Sequence, residues 1–264
     1  MLLRRVSEHV KAQNWTAVGL DFLVVIIGIL IAFQITSWNE NRQAREKLER
    51  VEEVLQGDLF LTYLSAKERI SIGPCRQQAL LSTSERLLEP GGPWAGLPRE
   101  GDTSIYPTAL LNLLRSPYRP WGSRVWNAEL GQGTFNLMED GRRDLIDSIM
   151  RQSGLAQDLQ SEIYALQGRL KVLAVSTDIP KSDRLRYYDM LGELDDRSAL
   201  LEVLSGQIVS SIDSVGIDAS AEDVSAFPNR LSDQNEYAAR VYGDCYIPIT
   251  TPLLDDWVKE GAAP

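Results

Sequence analysis

The stretch LDFLVVIIGILIAFQITSWNE at residues 20–40 leaves this chain few folds to choose from. From Trp15 to Ile35 is 21 residues, and at about 1.5 Å per residue a helix of that length covers roughly 31 Å, the hydrocarbon thickness of a bilayer. Between Phe22 and Phe33 stand only Leu, Val, Ile, Gly, Ala and Phe, so no face is offered to water and an amphipathic surface helix is ruled out. A secretory leader would end in a small-residue cleavage site. Here the run ends in QITSWNENRQ, polar and bulky, and no cleavage is expected. Trp15 and Trp38 stand near the two ends, where amphipathic rings settle among headgroups. The expectation is a short cytoplasmic head at 1–14, a transmembrane helix at 15–38 and a periplasmic domain at 39–264.

Basic residues do not settle the orientation by count. Arg4, Arg5 and Lys11 precede the span, while Arg42, Arg45, Lys47 and Arg50 follow it. The second group is interleaved with Glu40, Glu46, Glu49, Glu52 and Glu53, and the opposite orientation would translocate the head with its own positive charge. An N-terminus inside the cell is therefore expected, with a head too short to hold a signalling domain.

The formal net charge is −10, and residues 1–38 contribute only Arg4, Arg5, Lys11, Glu8 and Asp21, so the remainder is more acidic still. Such a surface argues against nucleic acid and against docking on anionic lipid. The length beyond the anchor suffices for one core or two small ones. Cys75 and Cys245 belong to no CxxC or Cys/His cluster, which disfavours zinc. In an oxidising periplasm they form one disulfide; on the other side of the membrane they remain two buried thiols.

Helical periodicity runs through nearly the whole chain. Leu48, Val51, Leu55, Leu59 and Leu64 mark one face of a helix from Asn39 to about Ile72, and GPCRQQALLSTSERLLEP predicts a second helix beginning at Pro74 and stopping at Pro90. GGPWAGLPREGDTSIYP reads as a loop, YPTALLNLLRSP as a short helix between Pro107 and Pro117, and residues beyond Ser123 as a short helix, a glycine corner and a long helix from about Asp140 to Val175. Asp195–Ser214 and Glu222–Tyr242 complete the set, the first preceded by a loop around Pro180. With strand-like alternation nearly absent, the expected fold is all-α, a helical bundle carried on one transmembrane helix.

LVVIIGILIAFQITSWNENRQ resembles the N-terminal anchor of an uncharacterised family of bacterial single-pass membrane proteins. In that family an acidic residue precedes a Gly-centred apolar run ending in Gln, Trp, Asn and Glu, here Asp21, Gly28, Gln34, Trp38, Asn39 and Glu40. WNAELGQGTFNLMEDGRRDLIDSI is similar to that family's helix, glycine corner and second helix, with Trp126, Leu130, Gly133, Leu137 and Leu145 in matching places. The resemblance does not extend over 150–264. It implies the topology and implies no reaction.

The only histidine, His9, falls in the head, across the membrane from the expected domain. Ser-His-Asp and Cys-His systems and histidine metal sites are thereby removed from that domain. No phosphate loop, dinucleotide fingerprint or calcium loop is present; GELDDRS and EDGRRD have the acids without the spacing. No cofactor, metal or catalytic residue is assigned, and a non-catalytic role is expected.

Two features point to contacts instead. On a helix at about 100° per residue, Asp21, Gly28 and Ala32 fall within roughly 40° of one another, so a carboxylate and a small-xxx-small pair share one stripe that suits a partner helix or a second copy of this chain. Alternatively, Asp21 marks only the edge of the hydrocarbon span. The aromatics Trp94, Tyr118 and Trp121, with Tyr106 and Trp126, are candidate interface anchors. They equally suit the plainer task of pinning irregular segments to the bundle. The expected role is a structural, accessory or assembly subunit of a larger membrane complex in the bacterial inner membrane, bound through the anchor. The rival is a membrane-anchored periplasmic sensor or ligand-binding protein, with the 90–107 loop over a pocket.

Overall fold

In a computed structural model the protein is all-α. The structure describes residues 15–89, 92–97, 118–217 and 221–250. Helix α1 spans Trp15–Leu88, α2 Arg124–Leu130, α3 Asp140–Leu170, α4 Lys181–Val215 and α5 Ala221–Tyr242. Short 3₁₀ turns occupy Thr134–Leu137, Lys171–Ala174 and Gly243–Cys245. Among the described residues there is no strand, only an isolated bridge between Trp94 and Thr177. Two compact units divide the chain at Met1–Glu52 and Glu53–Pro264. The apolar run ends at Ile35, and the second unit begins further along the same helix than the expected boundary at Asn39.

In the first unit, the large apolar side chains between Leu20 and Ile35 and the Trp38 ring are exposed. Beyond the run the helix is held by local polar pairs. Thr36 donates back to the Ala32 carbonyl at 3.0 Å, and Arg42 Nε donates to Glu46 at 2.8 Å, each four residues away.

The second unit is built on a repeat of three and four. The buried residues of α3 include Ile146, Ile149, Ser153, Ala156, Gln160, Ile163, Gln167 and Leu170; those of α4 include Leu191, Leu194, Ser198, Leu201, Ser205, Ile208 and Ile212. Both series step alternately by three and four, the 3.5-residue period that keeps one seam facing a partner helix. After the 171–180 connection α4 packs along α3. In α1, Leu55, Leu59, Thr62, Ala66, Arg69, Leu80, Thr83 and Leu87 are buried in the same rhythm, with Gly73 and Arg76 at the intervening positions. Arg69 reaches Gln160 on α3 and Arg76 reaches Glu202 on α4, so the three helices form one bundle. Three of the seam hydroxyls are satisfied within their own helices, whereas Ser153 Oγ is buried without a hydrogen bond. Thr62 donates to Asp58 O, Thr83 to Ala79 O and Ser205 to Leu201 O.

Two boundaries differ from expectation. The sequence predicts a break between Ile72 and Pro74, yet α1 runs through both. Proline removes the hydrogen bond to the Ile70 carbonyl, a local cost of about 3 kcal/mol. The seam residues on either side of it share one face, so packing overrides local propensity. At the interruption Glu202 closes in: a Cβ on Gly73 would lie 2.6 Å from its Oε2, the oxygen that accepts from Arg76 at 2.9 Å.

Helix α4 begins at Lys181 instead of Asp195. Its first turns expose Leu185 and Tyr188 and carry no strong apolar period. They are secured by Arg184, whose guanidinium donates to the Ile179, Glu89 and Gly92 carbonyls and so covers backbone acceptors just past the end of α1. Helix α3 ends at Leu170, five residues short of expectation, where the chain tightens into the 3₁₀ turn. The helix predicted between Pro107 and Pro117 lies outside the described residues.

The 3.5-residue register makes a sharp prediction. Ile149→Ala, at a fully buried seam position, should cost about 2–5 kcal/mol in denaturant unfolding followed by circular dichroism. Leu155→Ala, at a neighbouring exposed position, should stay within about 0.5 kcal/mol of the parent. Equal losses at the two positions would refute the seam.

Candidate functional site

Asp21, Gly28 and Ala32 are all exposed on α1, and a Cβ on Gly28 would meet nothing within 4 Å. The stripe leaves room for the close backbone approach that small residues permit between membrane helices.

The candidate aromatics do not form one surface. Trp94 is only 3% exposed and takes the second of the two roles open to it, that of a wedge. Its Nε1 donates to the Leu173 carbonyl at 2.9 Å, and its backbone exchanges two hydrogen bonds with Thr177. The Arg86 guanidinium stacks 4.6 Å above the ring and donates to Gly96 O. These contacts clasp residues 92–97 to the turn that joins α3 and α4, the pinning role that an irregular segment requires.

Tyr118 and Trp121 lie elsewhere, against the middle of α3. Tyr118 is exposed, packs edge-on against Tyr164 at 5.3 Å, and accepts from Gln157. Trp121 is half-buried, its Nε1 reaching Gln160 at 3.4 Å. Trp126 is buried and stacked on Phe135, its amide capped by Ser123 Oγ. The Gly133 corner between them has φ of 73°, a left-handed conformation that favours glycine. Tyr106 lies outside the described residues.

A polar knot that the sequence reading missed holds these elements together. Gln160, fully buried on α3, pairs its amide with the Arg119 backbone, accepting from Arg119 N at 3.1 Å and donating to Arg119 O at 2.9 Å. Its oxygen also accepts from Arg69 Nη2 at 2.8 Å. The Arg119 side chain grips Glu68 in a fork, Nε to Oε2 at 2.7 Å and Nη2 to Oε1 at 2.9 Å, and Gln234 from α5 adds a third donor to Oε1 at 3.3 Å. Three other segments therefore meet at two neighbouring residues of α1.

Burial pulls the Arg69 guanidinium down to about 10, with Glu68 acting against that shift, so it keeps its charge at neutral pH. The hydrogen bonds that Arg119 donates to Glu68 raise its own value instead. Both Glu68 oxygens are occupied by donors, which suits the cluster to cross-linking rather than to proton transfer. The signal that could have found it is Arg69 and Gln160 standing where the three–four rhythm calls for apolar residues.

Cys75 and Cys245 are joined in a disulfide, Cα–Cα 5.0 Å, across 170 residues of chain. Ile72, Cys75, Ala238 and Tyr246 form an apolar cluster at the bond, with Tyr242 and Cys245 packed against it. The segment after Cys245 runs back along α5. Asn235 accepts from Ile249 N and Tyr246 Oη and donates to Ile249 O, while Ile247 N donates to Ser71 O on α1.

Among the described residues no group of three or more His, Cys, Asp or Glu side chains is placed to hold a metal ion. No family model, curated protein or solved structure matches the chain.

The knot and the buried tyrosines give two tests. Gln160→Leu leaves a buried guanidinium short of a partner and should cost at least ~2 kcal/mol of stability in chemical denaturation; a neutral effect would show that the knot holds nothing. Burial raises Tyr164 and Tyr246, and burial with the Asp213 carboxylate raises Tyr63, all above the ordinary tyrosine value of 10.0. A folded-state pKa above the unfolded one contributes stability that is complete below that ordinary value and is lost as pH rises through the folded values. Stability should therefore fall above about pH 10, and absorbance titration should show a late group of tyrosines that ionises with unfolding. Uniform ionisation before unfolding would contradict this.

Proposed function

We propose that this protein is a non-catalytic, single-pass membrane protein that serves as a structural or accessory subunit of a larger membrane complex, recruited through the stripe of Asp21, Gly28 and Ala32. One observation carries the reading: the apolar side chains between Leu20 and Ile35 are exposed on every face of α1, with none of the span's best window buried by the rest of the chain. A soluble core helix would be covered. A helix exposed all round and apolar all round needs lipid, and Gly28 and Ala32 let a second helix approach where lipid would otherwise lie.

The proposed orientation puts the N-terminus in the cytoplasm and the helical unit in the periplasm of a bacterial inner membrane. The Cys75–Cys245 disulfide supports that side, since such bonds persist in oxidising compartments. The kinship proposed from Asp21, Gly28, Gln34 and Trp38, with an uncharacterised single-pass family, supports the same topology.

The test is purification of the full chain from native membranes in mild detergent, with mass spectrometry of what accompanies it. Constant-ratio membrane subunits are expected. Asp21→Leu and Gly28→Leu should each reduce their recovery several-fold while leaving insertion intact. Recovery of the chain alone, or unchanged recovery with both variants, would overturn the proposal.

A further inference from the structure

We propose that the Cys75–Cys245 disulfide is a redox-releasable latch, whose reduction frees α5 and residues 243–250 from α1 while the seams joining α1, α3 and α4 stay closed. The two attachments use different faces of α1. The bundle seam falls on Ala66, Arg69, Gly73, Arg76 and Leu80, whereas α5 and the segment after it meet Phe60, Leu64, Glu68, Ser71, Ile72 and Cys75. Neither cysteine stands at a seam position.

Among the described residues, the second attachment to α1 consists of two small apolar clusters and the hydrogen bonds Gln234–Glu68 and Ile247–Ser71. Leu231 and Ile249 pack on Phe60 and Leu64, and Ala238 and Tyr242 pack at Ile72 and Cys75. By contrast, α3 and α4 each bury a full seam along their length. Of the two attachments, the one that carries the covalent tie is the one expected to open when that tie is cut.

The tie is placed where both its breakage and its effect are favoured. Cys75 follows Pro74, where α1 lacks one of its own hydrogen bonds, and Ser71 O in the same turn accepts Ile247 N. Cys75 is buried, whereas Cys245 is half-buried, which makes it the more open end of the bond. A dithiol reductant attacks Cys245 Sγ and expels the Cys75 thiolate, which takes up a proton. The reductant's second thiolate then attacks its own sulfur in the mixed disulfide and releases Cys245. Two electrons pass to the protein, and the reductant leaves as a disulfide.

The experiment is amide hydrogen exchange on the full chain in detergent micelles, oxidised and with dithiothreitol. Peptides from 231–250 should exchange at least ~10-fold faster after reduction, while those from 146–170 and 190–212 keep their oxidised rates. The Cys75→Ser/Cys245→Ser double variant should show the reduced pattern without reductant. Unchanged exchange at 231–250 would overturn the latch. Uniform acceleration through α3 and α4 would do so equally, by making the bond a staple of the whole fold; if the double variant fails to fold, reduction of the native protein decides alone.

Discussion

A helix apolar on every face has to be covered by something other than water, and the rest of this chain follows from that constraint. Between Leu20 and Ile35 nothing described in the protein covers α1. Its backbone groups are satisfied inside the helix, which is what allows a single segment to enter hydrocarbon. The apolar run ends at Ile35, and the sequence beyond it turns to charged pairs such as Arg42 with Glu46 without ending the helix.

In the second unit the governing interaction is the three–four seam. It is built from aliphatic layers at Ile146, Ile149, Leu191, Leu194, Ile208 and Ile212, interrupted by Ser153, Gln160, Gln167, Ser198 and Ser205. Small hydroxyl residues cost little there when they bond back to their own helix. A charged residue in a seam is different, because Arg69 can be buried only if its neighbours are placed to receive it. Gln160 does so, and the same amide fixes Arg119, whose side chain then engages Glu68. One seam position thus couples α1, α3, the 118–121 segment and, through Gln234, α5. Buried polar clusters of this kind serve register better than they serve stability.

Much of the architecture was readable because its signals are local. The long apolar helix is a composition, the cysteine pair is an even count, and α3 and α5 carry strong helical periods. The failures are equally physical. Pro74 reads as a boundary to any rule that looks a few residues either way, and only the shared face of Ala66 and Leu80 reveals that the helix continues. The start of α4 at Lys181 was hidden because Arg184 secures it through carbonyls more than 90 residues away in sequence. The polar knot was invisible for the same reason, with Arg69 and Gln160 separated by 91 residues and Glu68 and Gln234 by 166. Trp94 was ambiguous by nature, since an aromatic in a glycine- and proline-rich stretch suits a partner and a wedge alike; its burial against Leu173 decides for the wedge.

The most direct test of the membrane-spanning claim is a spin-label scan of α1, one residue at a time from Thr16 to Glu40, in the full chain reconstituted into bilayers. Collision rates with oxygen and with a water-soluble nickel chelate would be read at each position. A membrane span gives high oxygen and low nickel collision at every lipid-facing position between Leu20 and Ile35, with nickel rising only toward the two ends. Nickel collision rising and falling with a 3.6-residue period across that stretch would show a helix lying at the surface, and would contradict the membrane span on which the proposed function rests.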